Sequence, residues 1–248
     1  MPRARRVYKV GGPALEDKAL IAPLAKEVAL FDGDVALVHG GGRQIEALLK
    51  KLGIESAFVN GRRATSDAAM EVVEMVLAGT MNKALAAGLS QAGVRSVGLS
   101  GRDGNLIRAS LVEGLGRVGT PEMVNPAVLE ALWAANLIPV VSPVSSDADG
   151  APVNINADEA AQWVARAIGA DTLVFLSDVN GVILDGEPVE HLTEALIEAR
   201  VADGSIHGGM TMKVRMALDA ARSGIPSVVI AGRARLEGGF PGTRISLQ

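Results

Sequence analysis

The chain has 248 residues, 48% of them hydrophobic, with 24 Lys plus Arg against 28 Asp plus Glu and no cysteine. That length accommodates one large domain or two fused lobes and buries roughly 70–75% of the unfolded chain's surface, so neither a disulfide nor a structural metal is required. Without cysteine there is no thiolate catalysis and no cysteine zinc site, and a net charge of −4 with one Tyr, two Trp and four Phe gives neither the basic footprint nor the stacking platforms of a nucleic-acid binder.

At the N-terminus, Arg3, Arg5 and Arg6 read as a solvated tail, because three charges fall short of a basic cluster and a glycine turn follows instead of a hydrophobic signal core. No apolar run reaches the ~18 residues that span a bilayer, so a cytoplasmic chain without a membrane partner is expected. A strand at 7–11 is followed by a helix at 15–31, a strand at 34–40 and a helix carrying Ile45, Leu48, Leu49 and Leu52 at i, i+3, i+4 and i+7. A long helix at 67–91 leads to a strand at 96–101. Residues 106–112 and 116–124 then read as two strands joined around Gly114, a hairpin projecting from the sheet. A helix at 126–135, a strand at 139–143, a helix at 158–168 and a strand at 172–178 resume the alternation. Helices at 193–202 and 210–223 and strands at 227–232 and 243–247 close it. The pattern predicts an α/β fold, a three-layer sandwich whose central, mainly parallel sheet carries helices on both faces. The lobe boundary is expected near Gly169-Ala170, giving lobes of residues 1–169 and 170–248.

Several phosphate-binding scaffolds are excluded. Residues 114–119 match the dinucleotide fingerprint in form, but Thr120 and Pro121 follow where a long helix would have to begin. There is no Gly-Lys-Ser/Thr, no nucleophile elbow and no protein-kinase signature. The strand ends are more informative. Lys9-Val10-Gly11-Gly12 sets a cation before two residues that can present backbone N–H groups to an anion, although a strand-end turn asks for the same residues. His39-Gly40-Gly41-Gly42 closes a strand and opens a helix, where side-chain-free amides and the helix dipole favour an oxyanion. Asn156 and Glu159 have the spacing of a capping arrangement, which leaves Asn154 and Asp158 for other work. Lys213 stands in the first turn of a helix, where a cation opposes the dipole, and so reads as facing an anionic ligand. Ser177-Asp178-Val179-Asn180-Gly181 ends another strand, either at a ligand crevice or as a turn. His39, His191 and His207 lack metal-ligand spacing, and no metal site is expected; His39 reads as a hydrogen-bonded strand-end residue.

In order, Lys9-Val-Gly-Gly, His39-Gly-Gly-Gly, Asn60-Gly-Arg-Arg-Ala-Thr, Asn82-Lys, Gly98-Leu-Ser-Gly-Arg-Asp-Gly, Asn154-Ile-Asn-Ala-Asp, Ser177-Asp-Val-Asn-Gly and Gly209-Met-Thr-Met-Lys closely resemble the acetylglutamate kinases of the amino-acid-kinase superfamily. The resemblance spans nearly the whole chain and implies MgATP-dependent phosphorylation of the side-chain carboxylate of N-acetyl-L-glutamate in arginine biosynthesis. It implies that Lys9 and Lys213 flank the transferred phosphoryl group, with Asp158 holding both ammonium groups. Gly12, Gly41 and Gly42 become backbone donors, Arg63 the grip on the substrate's α-carboxylate and Asn154 the fix on its acetamido end. The run Ser177, Asp178, Val179, Asn180, Gly181, Val182, Ile183 and the run Ser205, Ile206, His207 become the ATP walls of the C-terminal lobe. The 106–124 hairpin becomes a lid over the substrate.

There are departures. Pro13 follows the glycine pair and has no N–H, and Thr211-Met212 stands where many relatives have proline. Only six residues precede the first expected strand, whereas arginine-inhibited members carry an extra N-terminal helix that builds a hexamer; a homodimer that arginine does not inhibit is therefore expected. Two rivals remain, a kinase of aminoadipate or glutamate attached to an acidic carrier protein, for which Arg62 beside Arg63 could serve docking, and an inactive sensor of the same fold.

Overall fold

The computed structural model describes residues 3–11, 18–59 and 61–248. Its strands are β1 (Ala4–Val10), β2 (Gly33–His39), β3 (Phe58–Val59), β4 (Arg62–Arg63), β5 (Ser96–Ser100), β6 (Ile107–Leu111), β7 (Val118–Val124), β8 (Ile138–Ser142), β9 (Val144–Ser146), β10 (Pro152–Ile155), β11 (Thr172–Leu176), β12 (Val182–Leu184), β13 (Glu187–Val189), β14 (His191–Thr193), β15 (Ser227–Ala231) and β16 (Thr243–Ser246). Its helices are α1 (Ile21–Leu30), α2 (Gly42–Leu52), α3 (Asp67–Gln91), α4 (Ala127–Ala134), α5 (Ala157–Ala167), α6 (Glu194–Ala202), α7 (Gly209–Arg222) and the short α8 (Arg233–Leu236). The first expected helix is shorter than its apolar pattern, and the part of it at 15–17 lies outside the described residues.

Eight strands make one sheet in the order β14-β16-β15-β11-β1-β2-β8-β5; the six from β15 to β5 are parallel, and β16 runs antiparallel to β15. From β1 the chain builds outward through β2 on one side and through β11 on the other, so the carboxyl end of β1 lies at a topological switch point, where open α/β sheets bind ligands. Period-two alternation sorts its side chains. Val7 packs with α5 residues Ala160, Ala161 and Val164, while Tyr8 and Val10 pack with Leu24 and Val28 of α1 on the opposite face. Lys9 shares the Val7 face and therefore points toward α5.

Three expectations are corrected. Arg5 and Arg6 belong to β1 and are paired, not a tail: Arg5 lies 3.7 Å from Asp34 and over the Trp133 ring, and Arg6 sits 4.1 Å above the Phe31 centroid and 3.5 Å from Glu27. The strand starts early because Ala4 and Arg5 register with Gly33 and Asp34. Helix α3 is long and apolar enough, by length and composition alone, to cross a bilayer. Part of its apolar surface packs in the core, with Met70, Val73 and Leu77 against α2, and Leu85 and Leu89 in the α1 layer. A π-helical stretch at Met75–Met81 separates the two halves and shifts the buried face between these clusters. Finally, β6 and β7 form the expected antiparallel hairpin, but it does not project freely. β7 runs parallel to β10, β10 pairs antiparallel with β9, and β9 returns to β6, closing a four-stranded barrel. Strands β9 and β10 are too short for a periodic signal.

Candidate active site

Lys9 and Asp158 meet at the switch point, Nζ to Oδ1 at 2.7 Å. Asp158 occupies the first turn of α5, where the dipole favours an acid, and Asn156 caps that helix by accepting from the Asp158 N–H at 2.8 Å. The buried stripe Ala160, Ala161, Val164 and Ala165 holds α5 against β1. Glu159 does not complete a capping box. It turns outward to Arg62 Nη2 at 2.6 Å, and burial together with neighbouring Asp158 pushes its carboxyl above the ordinary range against the pull of Arg62.

On one side of this pair lies a cavity of about 260 Å³ bounded by Gly41, Gly42, Phe58, Arg63 and Asn154. Gly40 N–H bonds Val10 O at 3.1 Å, which leaves Gly41 and Gly42 to open α2 with their amides at its N-terminus. Arg63, 7% exposed, gives Nη1 to Glu46 and to Ser56 Oγ (2.8 Å) and Nη2 to Gly42 O (3.1 Å), with its guanidinium 4.5 Å from the Phe58 centroid. Among the described residues these bonds use three of its five N–H groups and leave Nε–H and one Nη2–H, a pair that can take a carboxylate in a bidentate grip. Behind the glycines, His39 is fully buried; its ring contacts Gly40 O through Nδ1 at 2.9 Å and Asn82 Nδ2 through Nε2 at 3.1 Å. An amide nitrogen can only donate, so Nε2 accepts and Nδ1–H donates, the neutral tautomer; burial holds the pKa down at about 4.

On the other side lies a cavity of about 290 Å³ bounded by Gly11, Ser177, Asp178, Lys213 and Met216, and it too includes Lys9 and Asp158. Helix α7 buries Val214, Ala217, Leu218 and Ala221 on one stripe, which aims Lys213 into the cleft. Lys213 donates to Asp178 Oδ1 at 2.8 Å, and Ser177 Oγ donates to the same oxygen at 2.7 Å; these bonds hold the Asp178 carboxyl down at about 2.

The structure thus brings Lys9, Gly41, Gly42, Arg63, Asn154, Asp158, Ser177, Asp178 and Lys213 around one cleft. Gly12 and Asn60 lie outside the described residues. The expectation that Asp158 holds both lysines gives way to two separate pairs, since Lys213 bonds Asp178. Val179, Asn180, Gly181, Val182 and Ile183 lie beyond the second cavity: Asn180 Oδ1 caps Ala234 N–H at 3.0 Å and Val182 N–H bonds Thr243 Oγ1 at 2.7 Å. Ser205, Ile206 and His207 form a turn in which Ser205 N–H bonds Asp203 and His207 Nδ1 meets Gly204 O. Sequence reasoning missed Phe58, the Arg62–Glu159 pair and the restraint on Arg63 from Glu46; only the adjacent charges at 62–63 hinted at them.

The amino acid kinase family model matches residues 4–231. The chain belongs to the amino acid kinase family. It is 43% identical to an acetylglutamate kinase of Parvibaculum lavamentivorans, over 92% of this chain and 82% of the relative, and 44% identical to an acetylglutamate kinase of Rubrobacter xylanophilus, over 96% and 94%. Among solved structures it is similar to smu.665 from Streptococcus mutans, with TM-score 0.82 and 26% identity over 98% of this chain and 99% of the other. Carbamate kinase of Giardia shares the fold, with TM-score 0.70 at 16% identity over the whole of both chains.

Proposed function

We propose that the chain transfers the terminal phosphoryl group of MgATP to the side-chain carboxylate of N-acetyl-L-glutamate, giving N-acetyl-L-glutamyl 5-phosphate and ADP, in the second step of arginine biosynthesis. The observation that carries this reading is the pair of cavities that share Lys9 and Asp158: one ends in an arginine fork and the other in Lys213 and Asp178. The acceptor carboxylate is already ionised at neutral pH, so the protein needs no general base and contributes positioning and charge neutralisation. In this reading Lys9 and Lys213 neutralise the transferred group, Asp158 orients Lys9, and Lys213 leaves Asp178 for the nucleotide's phosphates. Gly12, Gly41 and Gly42 supply backbone donors, Arg63 grips the α-carboxylate, and Asn154 receives the acetamido group. Residues 1–169 hold acetylglutamate and 170–248 hold ATP, with Ser177–Ile183 and Ser205–His207 as the outer wall of the nucleotide cleft. Hydroxylamine trapping of the acyl phosphate tests the reading. Hydroxamate should form with N-acetylglutamate and not with glutamate, aspartate or N-acetylaspartate; no product with any of them rejects it.

The orientation of Arg62 favours the free acid over a carrier-linked acceptor. Its guanidinium is turned inward, onto Glu159 at 2.6 Å and Thr120 Oγ1 at 2.9 Å, and its charge is neutralised there, so it offers no docking cation at the mouth. We read the enzyme as a cytoplasmic homodimer, which light scattering tests.

A further inference from the structure

One hydroxyl stands between the side chains assigned to the substrate's carboxylate and its amide. Thr65 is 1% exposed; its Oγ1 donates to the Arg63 carbonyl at 2.6 Å and meets Asn154 Nδ2 at 3.1 Å. Its backbone is pinned independently, the N–H to Leu115 O at 3.1 Å and the carbonyl accepting the Arg117 N–H at 2.6 Å. A threonine hydroxyl carries one proton, and a carbonyl can only accept. That proton is therefore committed to Arg63, and the hydroxyl can offer Asn154 only a lone pair. The Asn154 atom facing Thr65 must be the NH2 group, an orientation fixed by proton counting and not by atom assignment. Asn154 Oδ1 is thereby turned away from Thr65. It accepts from no described residue, and Asn154 lines the cavity bounded by Arg63 and Asp158.

We propose that Thr65 is a positioning residue that sets the polarity of substrate recognition: by holding the Asn154 amide with its oxygen free, it makes the site require a hydrogen-bond donor on the substrate's α-nitrogen. The inference rests on the acetylglutamate reading above. An amide N–H satisfies Oδ1, whereas an ester oxygen in its place sets acceptor against acceptor. A site built to bond an N–H rejects the analogue that lacks it, because the protein's own polar atom is left unpaired. The same hydroxyl braces the Arg63 backbone, so one side chain registers both recognition groups.

The test measures kcat and KM for N-acetyl-L-glutamate and for its ester isostere, (S)-2-acetoxyglutarate, in the wild type, Thr65→Val and Thr65→Ser. The wild type should prefer the amide by roughly 10- to 100-fold in kcat/KM. Thr65→Val keeps the shape and removes the lone pair; it should raise KM for N-acetylglutamate about tenfold, leave KM for ATP unchanged and narrow the amide preference to about threefold or less. Thr65→Ser should restore both. A merely structural role would lower stability without moving the amide-to-ester ratio. A wild type that turns over both compounds equally, or a Thr65→Val enzyme with undiminished preference, overturns the proposal. If the valine variant does not fold, Thr65→Ala is read for the same ratio. A wild type inactive on N-acetylglutamate rejects the underlying reading, and the proposal with it.

Discussion

Lys213 Nζ lies 2.8 Å from Asp178 Oδ1, while Lys9 pairs separately with Asp158. The bonds from Lys213 and Ser177 hold the Asp178 carboxyl down at about 2, so it is ionised at neutral pH when it faces Lys213. The pair is half-exposed, so screening limits its worth to stability to about 0–1 kcal/mol. Lys213→Ala should therefore leave the melting temperature nearly unchanged while lowering kcat by about 10²–10³-fold. Turnover at saturating substrates decides; an unchanged kcat removes Lys213 from the chemistry.

Asp158→Asn keeps the shape of the first turn of α5 but removes the charge that holds Lys9. The expected result is a kcat lowered by about 10²-fold, with both KM values within about threefold of wild type, because the residues proposed to grip substrate and nucleotide are others. Steady-state kinetics checks it, and a change confined to KM would contradict the assignment.

Adjacent glycines should respond in opposite ways. A methyl at Gly41 would lie 2.8 Å from Leu77 Cδ2 and 3.3 Å from Met81 Cγ, both on the π-helical stretch of α3, whereas one at Gly42 meets nothing within 4 Å. Gly41→Ala should cost about 1–3 kcal/mol of stability through overpacking. Gly42→Ala should be neutral or slightly stabilising at a helix start, yet raise KM for the acceptor because Gly42 lines the cavity that ends in Arg63. Urea unfolding and acceptor titration separate the two.

His39 gives a pH prediction. Its pKa is about 4 in the fold, below the ordinary 6.5, because burial disfavours the charged ring. A group depressed in this way binds its proton preferentially in the unfolded chain, so its contribution is fully present above pH 6.5 and is lost as pH falls toward 4. The loss over that window is about 3 kcal/mol. An NMR titration should show the His39 ring neutral at pH 5.5; a midpoint near 6.5 would refute this.

Much was legible in the sequence because it is local. Alternating β-branched runs and amphipathic stretches fix a parallel sheet sandwiched by helices, and the glycines after His39 line the cleft at a strand end. The order of motifs pointed to the family. Such signals survive in one dimension because period-two and 3.6-residue patterns, and the special backbone freedom of glycine, belong to neighbouring residues.

What only the tertiary structure decided are the pairings. Lys213 chose Asp178 over Asp158, Glu159 left its capping role for Arg62, and Arg3, Arg5 and Arg6 found Asp34, Glu130 and Glu27 instead of solvent. The hairpin of β6 and β7 was visible, but its closure with β9 and β10 was not. Nor could any spacing show that Thr65 aligns Arg63 with Asn154, 89 residues further along the chain. Each of these depends on distances between segments remote in sequence, and a charge or hydroxyl takes whichever partner the packed sheet and helices bring within about 3 Å.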